Sequence, residues 1–345
     1  MVYVSILDLN GFLLGVALGL RELGHRVAYH SGDEGLAADH TVTRMRRDLV
    51  AQRLGPQPGG PDPDADLLVV CDAFADQLRA AAAGLHDAAP FDPAHPLRPS
   101  LNPCVRGARA AVLGELLARA RGAAVVVDGS DACAPRPAAF DAIPGLVRLA
   151  REVEADAAPG GWLPFPFLYH PVVLWMEYLR PRSEWFVPLP VRLRRWEWVF
   201  CGTLSHPRYG GRRAAAVRAM EQRFPRARGL VMPEGCTYDR VLAALQSTGS
   251  GLDLPGAGEL CFRLHEYLAL AVPIVRLEPF SHVVPEGLQR LLRATPEPEL
   301  LPTPEDVLAT YAGSYAPRFA ARVLLRAAGA GAGSASRAPV HGARC

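Results

Sequence analysis

The stretch best equipped for chemistry reads Gly249-Ser-Gly-Leu-Asp-Leu-Pro-Gly-Ala-Gly-Glu-Leu-Cys-Phe-Arg-Leu-His-Glu-Tyr-Leu-Ala-Leu-Ala-Val-Pro-Ile-Val275. Gly249, Gly251, Gly256 and Gly258 let a backbone take positive φ and approach a ligand closely, so 249–258 is expected to be a loop. It empties into a helix expected over 259–271, whose free N-terminal amides favour an anion such as a diphosphate. Glu259, Arg263 and Glu266 are spaced four and three apart and would share one face of that helix. A cation among phosphates and a carboxylate accepting from ribose hydroxyls could use that face. A solvated row of ion pairs would have the same spacing. His265, between them, reads as a core or capping histidine more readily than as a catalyst.

A second constellation is Val199-Phe-Cys-Gly-Thr-Leu-Ser-His-Pro-Arg-Tyr-Gly-Gly-Arg-Arg213, a strand, a turn of small hydroxyl residues and three arginines ahead of a helix. The turn offers amides and hydroxyls to a phosphate, and Arg208 and Arg212 add charge; an ordinary βα loop with solvated arginines is the alternative. A third is Asp128-Gly-Ser-Asp131, at the end of an apolar strand where open α/β sheets place ligands. Its two carboxylates could provide a base or bind a divalent ion, or merely form a turn and cap a helix. No third acidic neighbour completes a cage, so no metal is expected. The first βα turn lacks Gly-x-Gly-x-x-Gly: Gly11, Gly15 and Gly19 recur every four residues, a spacing suited to close helix packing, which weakens an oxidoreductase reading.

The elements that must position these residues alternate. Strands are expected at 2–7, 26–30, 66–71 and 123–128, with helices at 11–23 and 106–120; continuous apolar strands between helices indicate a parallel sheet covered on both faces. A tryptophan- and proline-rich passage, 157–194, separates this half from a second series. That series comprises a strand from 196, a helix over 212–223, a strand at 229–232, a helix over 238–246 and a strand at 272–277. A helix near 303–325 could cross back over both halves, and the Ala/Gly/Ser-rich 329–345 reads as a mobile tail. The expectation is therefore α/β: two Rossmann-like domains facing a cleft, an acceptor domain at 1–156 and a donor domain at 195–312, with 313–328 returning to the first.

The 345 residues exceed the roughly 250–300 at which a single core stops growing. Half are hydrophobic and 21% charged, as in a globular chain, and 37 basic against 35 acidic residues give +2, so nucleic acid is not indicated. Seven scattered cysteines without Cys-x-x-Cys suggest reduced thiols, and no run reaches the ~18 apolar residues of a membrane span. A cytoplasmic location is expected.

From about 120 to 280 the chain resembles the GT-B glycosyltransferases, most closely their exostosin-like and spore-maturation-type branches among the family 1/4-like enzymes. The resemblance lies in Arg263-Leu-His-Glu266 followed by Ala271-Val-Pro-Ile-Val275, in the Phe200-Cys-Gly-Thr turn with its following arginine, and in Asp128-Gly-Ser-Asp131 ahead of Pro188-Leu-Pro190. Ala271 departs from the glycine usual in that pattern. The resemblance implies that Glu266 binds the donor ribose and Arg263 lies near the diphosphate. Gly202, Thr203, Ser205 and Arg212 would serve the donor phosphates, and Asp131 or Asp128 would face the cleft as catalytic base, with Asp8, His30 and Asp72 in reserve. It further implies a transferase that uses a nucleotide-diphosphate sugar such as a UDP-sugar, an unidentified acceptor and no cofactor. A nucleotide-sugar epimerase on the same fold and a non-catalytic nucleotide-sugar-binding protein are the alternatives.

Overall fold

The computed structural model describes residues 1–8, 11–31, 41–57, 60–71, 113–129, 140–154, 161–181, 189–206, 209–256 and 259–335. The chain is α/β with two wholly parallel sheets. The first contains β1 (Tyr3–Asp8), β2 (Arg26–Ser31), β3 (Leu67–Cys71), β4 (Ala123–Asp128), β5 (Val147–Ala150) and β6 (Trp162–Pro164), in the order β2-β1-β3-β4-β5-β6. The second contains β7 (Trp196–Phe200), β8 (Gly229–Val231), β9 (Thr248–Leu252) and β10 (Ile274–Val275), in the order β10-β9-β7-β8. In both, the first strand lies between the second and the third, so the winding reverses beside it. These are two Rossmann-like domains, each with a crevice outside the strand ends at that reversal.

The first sheet takes in β6 from the stretch expected to be passage, because Trp162 is apolar enough to bury against Phe140, their rings 6.3 Å apart. Helix α1 (Leu14–Glu22) follows β1, and the small-residue spacing in it does what was expected. A Cβ on Gly15 would come within 2.4 Å of the Tyr169 ring, and one on Gly19 within 2.1 Å of the Pro317 carbonyl oxygen.

The glycine-rich segment 249–258 departs from expectation. Its first half is strand β9, which pairs with β7 on one side and β10 on the other and is buried at all five residues. Gly251 is there because the Tyr267 ring lies flat on the strand, 2.6 Å from where a Cβ would project; glycine in a strand interior marks such an approach. The following helix α6 covers Phe262–Ala269, not 259–271, so Glu259 lies outside it. At its C-terminal end Ala271 adopts φ 58°, the left-handed conformation that glycine takes most easily.

The expected helix over 303–325 is broken at Pro317: Pro304–Thr310 is helical, Tyr311–Tyr315 forms a π turn, and α7 runs over Pro317–Ala335. Residues 329–335, expected in a tail, are therefore helical; 336–345 lie outside the described residues. Helix α7 packs on α1, β4 and β5. One apolar cluster joins the halves, containing Val4 and Ile6 of β1 as well as Val199 of β7 and Leu264 and Leu268 of α6. Polar ties reinforce it: the Leu260 amide donates to Glu152 Oε1 at 3.0 Å, and Glu154 bridges to His282. No described helix is long and apolar enough to cross a membrane.

Candidate functional site

At the carboxyl ends of β7 and β8 lies a cavity of about 320 Å³. Gly202 and Thr203 line it from the turn after β7, and Glu234, Gly235 and Cys236 from the loop after β8. Tyr238 contributes from the helix Tyr238–Gln246, Arg263 and Glu266 from α6, and His170 from the segment joining the domains.

Glu266 is 6% exposed, and the groups around its carboxylate are neutral donors. The Tyr238 hydroxyl donates to Oε1 at 3.3 Å, and His170 Nε2 stands 3.6 Å from the same oxygen. Burial, then the charge of Glu266, pushes the Tyr238 phenol well above its ordinary pKa. Burial lowers that of His170, opposed by Glu266 and aided by Arg46, so the imidazole is uncharged at neutral pH. The two rings stack at 5.0 Å and 7°. Glu266 is thus a buried anion with no bonded cation in the described residues, facing a cavity, and Oε2 accepts no hydrogen bond from them. A polyhydroxyl ligand would complete its hydrogen bonding, which buried carboxylates require.

Arg263 reaches the same cavity but is already engaged. Its guanidinium donates to the carbonyls of Cys201 at 3.1 Å and Leu254 at 2.8 Å, lies 5.1 Å over Phe200, and occupies the space that a Cβ on Gly202 would take. It pins the turn after β7 to the segment after β9 while leaving its charge in the cavity wall. Arg212 donates to the Gly256 carbonyl at 3.1 Å, and Arg213 to those of Pro255 and Thr203 at 2.9 and 3.1 Å. These two arginines brace loops, and neither they nor Gly256 line the cavity.

Glu259 is not brought to the cavity. Its carboxylate is paired with Arg276 at 3.2 Å and His282 at 2.8 Å and accepts from the amides of Ser281 and His282. Arg276 in turn holds the buried Asp253 at 2.6 Å, so Glu259 belongs to an ionic knot under the domain junction. The shared helical face expected for Glu259, Arg263 and Glu266 holds only for the last two. Ser205 is near the cavity but does not line it, because its hydroxyl is bonded to Glu234.

His265 is a core histidine, as expected. Nδ1 accepts from the His170 amide at 2.8 Å and Nε2 faces the Tyr311 hydroxyl at 3.2 Å, while that hydroxyl donates to Glu177 at 2.8 Å. Burial keeps its pKa well below the ordinary value, so the Nε2–H tautomer follows from its partners. This chain fixes the backbone of His170 and hence its ring over Tyr238.

In the first domain, Asp128 ends β4 at 5% exposure and is not part of the cavity lining. Asp131, Arg208, Gly258 and Asp72 lie outside the described residues. Asp8 is spent on structure: its carboxylate accepts from the Phe12 and Leu13 amides at 3.1 and 2.6 Å and from the Tyr29 hydroxyl at 2.8 Å. That removes it as a reserve base. His30, the residue before the end of β2, has no place in the cavity lining. The sequence reading missed His170, Glu234 and Tyr238, none of which belongs to a spaced motif. Among the described residues no three His, Cys, Asp or Glu side chains cluster as a metal site.

No protein-family profile and no curated protein matches the chain. Among solved structures it is similar to AviGT4, a glycosyltransferase involved in avilamycin A biosynthesis, at 15% identity and a TM-score of 0.38 over 96% of this chain and 99% of that one. A likeness that remote assigns no residue here.

Proposed function

We propose that the protein is a glycosyltransferase that takes a sugar from a nucleotide-diphosphate donor, a UDP-sugar being the first to try, and passes it to an acceptor held by the first domain. One observation carries this reading: a buried carboxylate, Glu266, ringed by neutral donors on a cavity at the strand ends of the second Rossmann-like domain. Glu266 would accept from the ribose hydroxyls. The Gly202–Ser205 turn would offer its amides to the diphosphate, and the charge of Arg263 in the wall would offset the negative charge gained as that group leaves. The base that deprotonates the acceptor would come from the Asp128–Asp131 segment across the cleft.

The test is binding of UDP and its sugar conjugates, measured by calorimetry. Glu266→Ala is expected to stay folded and to lose about 1.5–3 kcal/mol of UDP affinity, the worth of a charge-assisted hydrogen bond. An unchanged dissociation constant in a folded variant would remove Glu266 from the site and the reading with it.

Chelation is expected to leave transfer intact, since backbone amides and Arg263 supply the positive potential at the diphosphate. Turnover abolished by EDTA and restored by manganese or magnesium would instead make Asp128 and Asp131 metal ligands.

A further inference from the structure

The turn after β7 already holds an anion, and it belongs to the protein. Glu234 Oε1 accepts from the main-chain amides of Leu204 at 2.6 Å and Ser205 at 2.7 Å, and Oε2 accepts from the Ser205 hydroxyl at 2.5 Å. Two successive amides and a hydroxyl converging on one oxyanion are the donor set that backbone nests present to phosphate. Yet Glu234 is exposed, and nothing about burial requires its charge to be compensated. It lines the cavity beside Gly202 and Thr203, so it occupies the place where a ligand phosphate would meet the turn.

From this placement we propose that Glu234 is a resident occupant of the phosphate subsite, displaced when the diphosphate of the donor binds. The proposal rests on the donor reading above and deepens it. A diphosphate can take its place because it brings more charge and more acceptor oxygens than a carboxylate.

The surroundings permit the exchange. The loop bearing Glu234 is anchored at its start, where the Met232 amide donates to the Phe200 carbonyl at 2.9 Å, and at its end by the helix Tyr238–Gln246. Between them Gly235 takes φ 72° and Glu234 is exposed, so rotation of one side chain frees the turn without disturbing either anchor. The hydroxyl bond from Ser205, followed by its amide bond, holds the Glu234 carboxyl below the usual carboxylate range, so it remains an anion at neutral pH.

Calorimetry with inorganic pyrophosphate and with UDP tests this on the parent, Glu234→Gln, Glu234→Ala and Glu266→Ala, each checked for an unchanged melting curve. If the turn is free in about one parent molecule in ten, emptying it raises apparent affinity about tenfold. Pyrophosphate and UDP are expected to bind about that much more tightly to Glu234→Ala, with Glu234→Gln between it and the parent. Glu266→Ala is expected to weaken UDP alone. Equal or weaker pyrophosphate binding to Glu234→Ala, with UDP still dependent on Glu266, would overturn the proposal and make Glu234 a brace that shapes the turn, leaving the donor reading standing. Pyrophosphate binding that tightens in Glu234→Ala while UDP binds no variant would keep the occupied subsite and remove the donor reading. No binding of either ligand to any variant would overturn both.

Discussion

Asp131→Asn is expected to bind UDP as the parent does and to transfer sugar ~10²–10⁴ times more slowly, the usual cost of losing a general base. The ground is position. Strand β4 is interior to the first sheet, between β3 and β5, and its apolar run ends at Asp128, which is still 5% exposed. Open parallel sheets bind ligands outside the carboxyl ends of their strands, and that is the end of β4 from which the segment 128–131 continues. Asp128→Asn is the paired control, assayed for initial rate and for UDP affinity. Slow transfer by Asp128→Asn with a fast Asp131→Asn would make the earlier aspartate the base. Two fast variants would reduce the segment to a turn. Asp8 would not then inherit the role, because its carboxylate is committed to two amides and a phenol at the start of α1.

The second large effect is on stability. In Gly19→Ala the new methyl group would lie 2.1 Å from the Pro317 carbonyl oxygen and 2.8 Å from the Arg318 amide nitrogen, both main-chain atoms of another helix. Side chains can rotate away from an intruder, but two helix backbones can only separate. The cost is expected at or above the top of the usual overpacking range, about 3 kcal/mol, which at roughly 2–4 °C per kcal/mol lowers the melting temperature by about 10 °C. Gly211→Ala is the control: it is helical, exposed and has nothing within 4 Å of its added carbon, so it should melt at or slightly above the parent. A Gly19→Ala variant melting with the parent would mean that α1 and α7 do not pack as described.

The alternation of strand and helix was legible because it is local. The run 123–128 is β4 and 238–246 is a helix, and burial on both strand faces left near-continuous apolar residues to read. Thr248–Leu252 was not legible as a strand, because Gly251 is there for the Tyr267 ring and Gly249 for the backbone of Glu197 in the neighbouring strand, contacts that local sequence does not display. Glu259 failed for a related reason. Its spacing to Arg263 suits a helix, but Arg276 and His282, 17 and 23 residues further on, draw it into a different set of bonds. Arg263 and Glu266, within α6, were brought to one cavity, and the spacing that paired them is short enough for the helix to enforce. His170 and Glu234 carried no signal at all. One is placed by a bond to His265, 95 residues away, and the other by donors 29 and 30 residues away.

Helix α7 has a bearing on the order of events during synthesis. It is the last described element of the chain, yet it covers α1, the helix of the first βα unit, burying Ala320, Ala321 and Leu324. Tyr315, just ahead of it, accepts at its carbonyl from the Tyr169 hydroxyl at 2.7 Å. A nascent chain that has emerged only as far as β6 has all six strands of its first sheet and no partner for the glycine face of α1. Domains ordinarily fold as units in the order in which they leave the ribosome. Here the half translated first is the half completed last, and until its closing helix arrives, that apolar face is open to chaperones and to other nascent chains.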